Sequence, residues 1–177
     1  MWVIPCLTLT QPWATLMACG AKRTETRSWS TSYQGVLGIH AGKNWKRADI
    51  ERCFEPPFST ALKAAGIQTP ADLPRGDVIA ILHLHDVARI KVREWDGAVI
   101  VERMEMPVKD DELPFGLYTP GRFGWRTTNG RALAEPVPAT GRLGLWPWEV
   151  PPGSEAEALV RSLGGPGDTK RLWAKGA

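Results

Sequence analysis

A chain of 177 residues with 43% apolar and 8% aromatic content can bury a core and favours one domain with at most a small appendage, which excludes a wholly disordered chain. The net charge of +3, from 22 Lys and Arg against 19 Asp and Glu, is too small to argue for nucleic acid by itself, and no apolar run approaches the roughly eighteen residues of a membrane span. Cys6, Cys19 and Cys53 form no CxxC pair and no metal-finger spacing, and with no secretory leader they predict a soluble, cytoplasmic protein without a metal or other cofactor.

In chain order, Cys6–Leu9 reads as a short strand. Thr10 is a fair N-cap for a helix with Pro12 in its first turn, running through Ala14–Cys19 and closed by Gly20. Arg23–Trp29, rich in Thr and alternating in character, looks extended, and Gly35–Ala41 reads as a second strand. Residues 44–66 predict two short helices, capped by Asn44, interrupted by Pro56-Pro57 and ended by Gly66. Asp77–Val92 is the strongest strand signal, and its length predicts a bend or bulge inside it. Glu94–Glu112 has no clear pattern. Phe123–Leu133 reads as a strand and Val137–Leu145 as a loop with a strand. Ser154 and Glu157 form a capping box that opens a helix through Leu163, and Gly164–Ala177 predicts a loose tail. Several short strands, a few helices and many Gly/Pro turns predict a small α+β domain built on a curved sheet or barrel.

Charge is unevenly spread. Residues 1–50 hold Lys22, Arg23, Arg27, Lys43, Lys46 and Arg47 against only Glu25 and Asp49, whereas residues 94–112 are strongly acidic. A basic half beside an acidic flap suits a phosphate-bearing ligand. The nine Trp residues against two Tyr and four Phe serve a core or the stacking of bases.

The informative segment is LTLTQPWATLMACGAKRTETRSW, Leu7 to Trp29. With Gly20 ending the helix, Lys22 falls in the helix-to-strand turn, where a long side chain can swing into a cleft. On the strand that follows, Glu25, Arg27 and Trp29 share one face by alternation. A carboxylate accepts from an exocyclic amine, a guanidinium donates to carbonyl or phosphate, and an indole stacks, so the trio can bind a base. An ordinary cross-strand ion pair between Glu25 and Arg27 explains the same spacing.

The segment resembles the opening of ASCH-domain proteins, whose fold belongs to the PUA-like superfamily. Gly20, Lys22, Glu25 and Arg27 fill the family pattern G-x-K-x-x-E-x-R, and Gln11-Pro12-Trp13 is similar to the tripeptide that opens the helix in many members. The likeness continues in Gly35–Gly42, Arg75–Leu82 and Trp125–Trp146. It implies a PUA-like β-barrel of mixed, mostly antiparallel strands with flanking short helices over residues 1–150, followed by a C-terminal helix and tail over 151–177. It also implies RNA or a modified nucleobase as ligand, held by Gln11, Trp13, Arg27, Trp29, His40, Lys43, Trp125 and Arg126.

Some small ASCH proteins deacylate N4-acetylcytidine with the motif Lys, a Thr where Glu25 stands here, and a Glu from elsewhere in the chain. A hydrolase, whether amidohydrolase or ribonuclease, is therefore the alternative, with Lys22 and Glu25 catalytic and Glu102 or Glu105 as the remote carboxylate. A narrow, closed pocket favours the enzyme or a modified-base reader, and an open basic groove favours strand binding. Other residues carry two readings each. His40 and Lys43 follow a strand end and reach the cleft or serve the fold. Trp125 fills the core or lines the cleft. His83 and His85 share a strand face with no third ligand at a helpful spacing, which reads as a polar face between the inward Leu82 and Leu84.

Overall fold

The computed structural model describes residues 1–102, 107–169 and 172, with the backbone alone of Asn129. Among the described residues seven strands form one mixed sheet: β1 (Trp2–Leu9), β2 (Thr24–Arg27), β3 (Gly35–Ala41), β4 (Asp77–Val92), β5 (Val99–Val101), β6 (Phe123–Pro138) and β7 (Leu145–Val150). Their order is β2-β6-β4-β3-β1-β7, with β5 added to the far end of β4. Only β1 and β3 run parallel, because helix α1 (Trp13–Ala18) and β2 separate them in sequence and carry the chain back. The other pairings are antiparallel.

The expected barrel is not formed. The sheet is open, with β2 at one end and β7 at the other. What draws β2 toward β1 is a side chain instead of a ladder: Arg27 Nη2 donates to the Thr8 carbonyl at 2.9 Å. The four-residue β2 pairs with β6 along one edge, and Leu117 N–H donates to its Thr26 Oγ1.

The long β4 and β6 hold the sheet's curvature. Their register shifts at Val78/Ala80, Ile81/His83 and Leu84/Asp86, irregularities that increase local twist and let sixteen-residue strands bend. Because β6 continues to Pro138, the strand foreseen within Val137–Leu145 begins only at Leu145.

Alternation sends successive side chains to opposite faces, and both faces are covered. On one, Leu7, Leu37, Ile39, Leu82, Leu84 and Trp125 pack with Ala14 and Met17 of α1. On the other, Ile4, Cys6, Val36, Ile81, Trp146 and Trp148 pack with Ala156 and Val160 of α4 (Glu155–Ser162). Every residue of β3 is buried as a result. A satellite cluster joins Leu16 to Phe58 and Leu62 of α3 (Phe58–Ala64), below α2 (Arg47–Arg52). Ser154 Oγ accepts from Glu157 N–H at 3.2 Å, as the capping box requires, while the Glu157 carboxylate reaches Gly153 N–H. The C-terminal segment is not wholly loose: Leu172 packs against the first cluster.

Candidate nucleic-acid interface

The start of the candidate site is the turn after α1. Gly20 adopts φ +79°, a left-handed conformation that favours glycine, and the turn closes with Lys22 N–H donating back to the Leu16 carbonyl at 3.0 Å. The chain then enters β2, where Thr24–Arg27 pairs with Arg126–Phe123 of β6.

Lys22 does not swing into open solvent. It is 1% exposed, and its Nζ has three acceptors: the Thr24 carbonyl at 2.5 Å, Glu25 Oε2 at 3.3 Å and Tyr118 Oη at 3.4 Å. Three acceptors match the three ammonium protons. Burial pushes the Lys22 pKa down from its usual value, and the carboxylates of Glu25 and then Glu112 oppose that shift. Glu112 is itself buried and accepts from the backbone N–H groups of Arg23 and Thr24, at 2.8 and 2.5 Å. Tyr118 Oη lies 2.8 Å from the Thr24 carbonyl and 3.2 Å from Glu112 Oε1, so its single proton goes to one of them. Burial, with the Glu112 charge second, raises the Tyr118 pKa far above the ordinary phenol value. Sequence reasoning missed Glu112 and Tyr118. Of the two remote carboxylates foreseen, Glu102 lies on the exposed side, paired with Lys91, and Glu105 falls outside the described residues.

Glu25 behaves differently. Its Oε2 faces Lys22, its Oε1 lies 3.5 Å from Arg27 Nε, and it lines two adjoining cavities. The first, about 380 Å³, has Trp13 and Arg52 on one side and Pro114–Leu117 on the other. The second, about 280 Å³, is bordered by Thr8, Thr10, Trp13, Arg27, Lys46 and Asp49. Both share Trp13 and Glu25, so they form one groove open to solvent. The Arg52 guanidinium lies 5.7 Å over the Trp13 ring, and Phe58 meets that ring edge-on at 6.0 Å. Arg52 is a further residue not singled out in the sequence; it lies just beyond the basic first fifty residues. Gly116 forms a thin wall: a Cβ there would stand 3.0 Å from Lys22 Nζ and 2.6 Å from the Tyr118 ring.

The remaining candidates divide. Gln11 is wholly buried, its amide donating to Thr15 Oγ1 and the Pro74 carbonyl, both at 2.8 Å, and accepting from Thr15 N–H. Trp125 is also wholly buried; its Nε1 donates to the Trp29 carbonyl and the two rings meet edge-to-face at 4.6 Å. Trp29 is partly exposed but packs on the core beyond the end of β2. Arg126 is half-buried; burial lowers its pKa, opposed by Glu112, Asp86 and Tyr118. His40 and Lys43 line a third cavity with Thr8, Thr10 and Gly141, about 340 Å³ in volume. Among the described residues no group of three or more His, Cys, Asp or Glu is placed to hold a metal, and no helix is long and apolar enough to cross a membrane.

An α+β domain with one mixed sheet, a helix on each face and a polar groove beside its first helix is the class this architecture defines. The chain belongs to the ASCH domain family, whose family model matches residues 7–120. The PUA-like fold implied by that family agrees with the mixed sheet and its flanking helices. The chain is 35% identical over 82 residues to activating signal cointegrator 1 of Mus musculus and 34% identical over 82 residues to the Homo sapiens protein. The matched stretch is 46% of this chain but only 14% of each relative.

Proposed function

We propose that this ASCH domain binds single-stranded RNA, seating a base in the groove between the Trp13–Arg52 stack and the Pro114–Leu117 wall. The observation that carries the reading is Glu25: a carboxylate at the floor of an open groove, held between the cations of Lys22 and Arg27. Such a floor accepts N–H from the exocyclic amine of a base, which A, C and G carry and U lacks. Arg52 and Trp13 offer planar faces for stacking, and Lys46 and Arg27 stand where a backbone phosphate would pass. The first cavity, about 380 Å³, suits a nucleoside-sized group, since sites for small ligands span roughly 300–1,000 Å³. The open form favours a strand over a free nucleoside. Fluorescence anisotropy with labelled oligoribonucleotides tests the proposal: Trp13→Ala and Arg52→Ala each weaken binding, and unchanged affinity in both would refute it.

The hydrolytic alternative draws on one observation, the buried Glu112 carboxylate joined to Lys22 through Tyr118. Against it, all three protons of the Lys22 ammonium already have acceptors, so the group is tied up in the fold. Incubating the protein with N4-acetylcytidine and assaying free cytidine separates the readings. Turnover that is lost in Glu112→Gln would favour hydrolysis; binding without release favours the strand-binding reading.

A further inference from the structure

The groove does not end at Arg27. Its middle cavity shares Thr8 and Thr10 with the cavity around His40 and Lys43, so the three hollows form one continuous track from Leu117 to Gly141. The two ends differ in chemistry. The Glu25 end offers a carboxylate, an acceptor for base N–H groups. The His40 end has no acidic residue in its lining and presents hydroxyls, an amide and the Lys43 ammonium. The Thr8 hydroxyl accepts from Trp146 Nε1 at 3.0 Å and donates to no described residue, so its proton remains for a ligand. His40, 2% exposed, donates from Nε2 to the Ala139 carbonyl at 3.1 Å, which leaves its buried Nδ1 as an acceptor, so the ring forms a wall of the cavity and not one of its donors. Gly141 leaves room at this point: a Cβ there would stand 2.6 Å from His40 Nδ1 and 2.8 Å from Thr8 Oγ1.

We infer that the cavity bounded by Thr8, Thr10, His40, Lys43 and Gly141 is a phosphate subsite, which holds the backbone of the nucleotide adjoining the one whose base rests on Glu25. The inference rests on the strand-binding reading above. An acceptor floor followed by a cavity whose donors are the Thr8 and Thr10 hydroxyls, the Asn44 amide and the Lys43 ammonium matches the order of groups along a nucleotide, with base donors at one end and phosphate oxygens at the other. Neither cavity alone distinguishes a nucleoside from a strand; their continuity does.

The test compares four nucleosides with the corresponding dinucleoside monophosphates (ApA, CpC, GpG and UpU) by isothermal titration calorimetry. The probes differ by one nucleoside and one phosphodiester. Wild type should bind the dinucleotides more tightly than the nucleosides. Lys43→Ala should cut dinucleotide affinity roughly tenfold, the scale of one charge-assisted hydrogen bond, and leave nucleoside binding unchanged. It should also reduce the slope of log affinity against log salt by about 0.7, the value for one phosphate contact on a single strand. Gly141→Ala, which fills the cavity without altering charge, should reproduce the selective loss. Lys63→Ala, an exposed cation on α3 outside the groove, serves as the charge-matched control. Dinucleotide affinity equal in wild type, Lys43→Ala and Lys63→Ala overturns the subsite, even if Trp13→Ala still weakens nucleoside binding. Loss in Lys63→Ala equal to that in Lys43→Ala overturns it too, since net charge then explains both. Absence of binding to every probe overturns the subsite together with the reading it rests on.

Discussion

Lys22 and Glu25 stand three residues apart in one motif, yet they occupy two different solvents. Lys22, with Glu112 and Tyr118, lies in a dry cluster in which hydrogen-bond partners are matched to the charges. Glu25 and Arg27 face a groove that water or a ligand can fill. A motif of charged residues is therefore not one functional unit. A buried charge costs several kcal/mol to desolvate and must be answered by fixed partners, so the Lys22 half ties the 112–118 segment to β2. The groove-facing half, with Glu25 and Arg27 lining a cavity, is free to exchange its partners for those of a ligand.

That contrast is tested most severely by Lys22→Ala. If the cluster is structural, removing the cation leaves Glu25 and Glu112 facing each other with less compensation and should cost about 3–5 kcal/mol of stability. Urea denaturation measures this, and a loss below about 1 kcal/mol, the scale of an exposed ion pair, would erase the distinction between the two regions. Next in size, Trp13→Ala should weaken RNA binding by roughly 1–3 kcal/mol, the worth of one stacked base, with much less effect on stability than Lys22→Ala. Comparable damage to folding in both variants would place Trp13 in the structural half. Glu25→Gln sharpens the boundary itself. It should erase preference for oligomers of A, C or G over U, a discrimination of about 1–3 kcal/mol if a base amine rests on the carboxylate. Competition binding with homopolymers reads this out, and an unchanged order of preference would assign Glu25 to the Lys22 cluster alone.

The smallest expected effect belongs to His40, at the far end of the groove. Burial holds its pKa below the ordinary 6.5, against the Ala139 and Gly76 carbonyls and the Asp77 charge, while Lys43 adds to the lowering. Below pH 6.5 the unfolded chain takes up a proton that the folded ring resists, so stability falls as pH drops through that window. His40→Gln should flatten this part of the stability profile, measured by denaturation from about pH 7 to about pH 5. A slope unchanged by the substitution would show that this end of the groove is as wet as bulk solvent.

Much of the local structure was legible in the chain. Gly35–Ala41 and Asp77–Val92 form strands with the bounds read from their β-branched runs, and the irregularities expected of a sixteen-residue strand are present. Gly20 ends α1 as its spacing implied, and Ser154 caps α4. The helix beyond Lys43 began later than Asn44 suggested, because Lys46 occupies its N-cap position, with Asp49 accepting from the Lys46 N–H. The acidic 94–112 region resisted reading: its charges imply solvent, yet its last residue is drawn inward where Leu113 and Phe115 pack into two apolar clusters.

Sequence alone determined the elements, the ASCH resemblance and the cluster of cations in the first fifty residues, because each depends on local spacing or composition. Tertiary structure decided which of those charges meet water. Gln11 and Trp125, both candidates for the cleft, are buried, since the Gln11 side chain bonds the Pro74 carbonyl and Trp125 stands on β6 between its paired neighbours β2 and β4. Glu112 reaches Lys22 across ninety positions because two backbone N–H groups at the start of β2 require an acceptor and no ladder supplies one there. The sheet stays open because β2 ends at Arg27, whose side chain bridges to Thr8 where a strand pairing would have closed it. Such long-range pairings follow from backbone groups that need partners after collapse, and no spacing along the chain encodes which partner arrives.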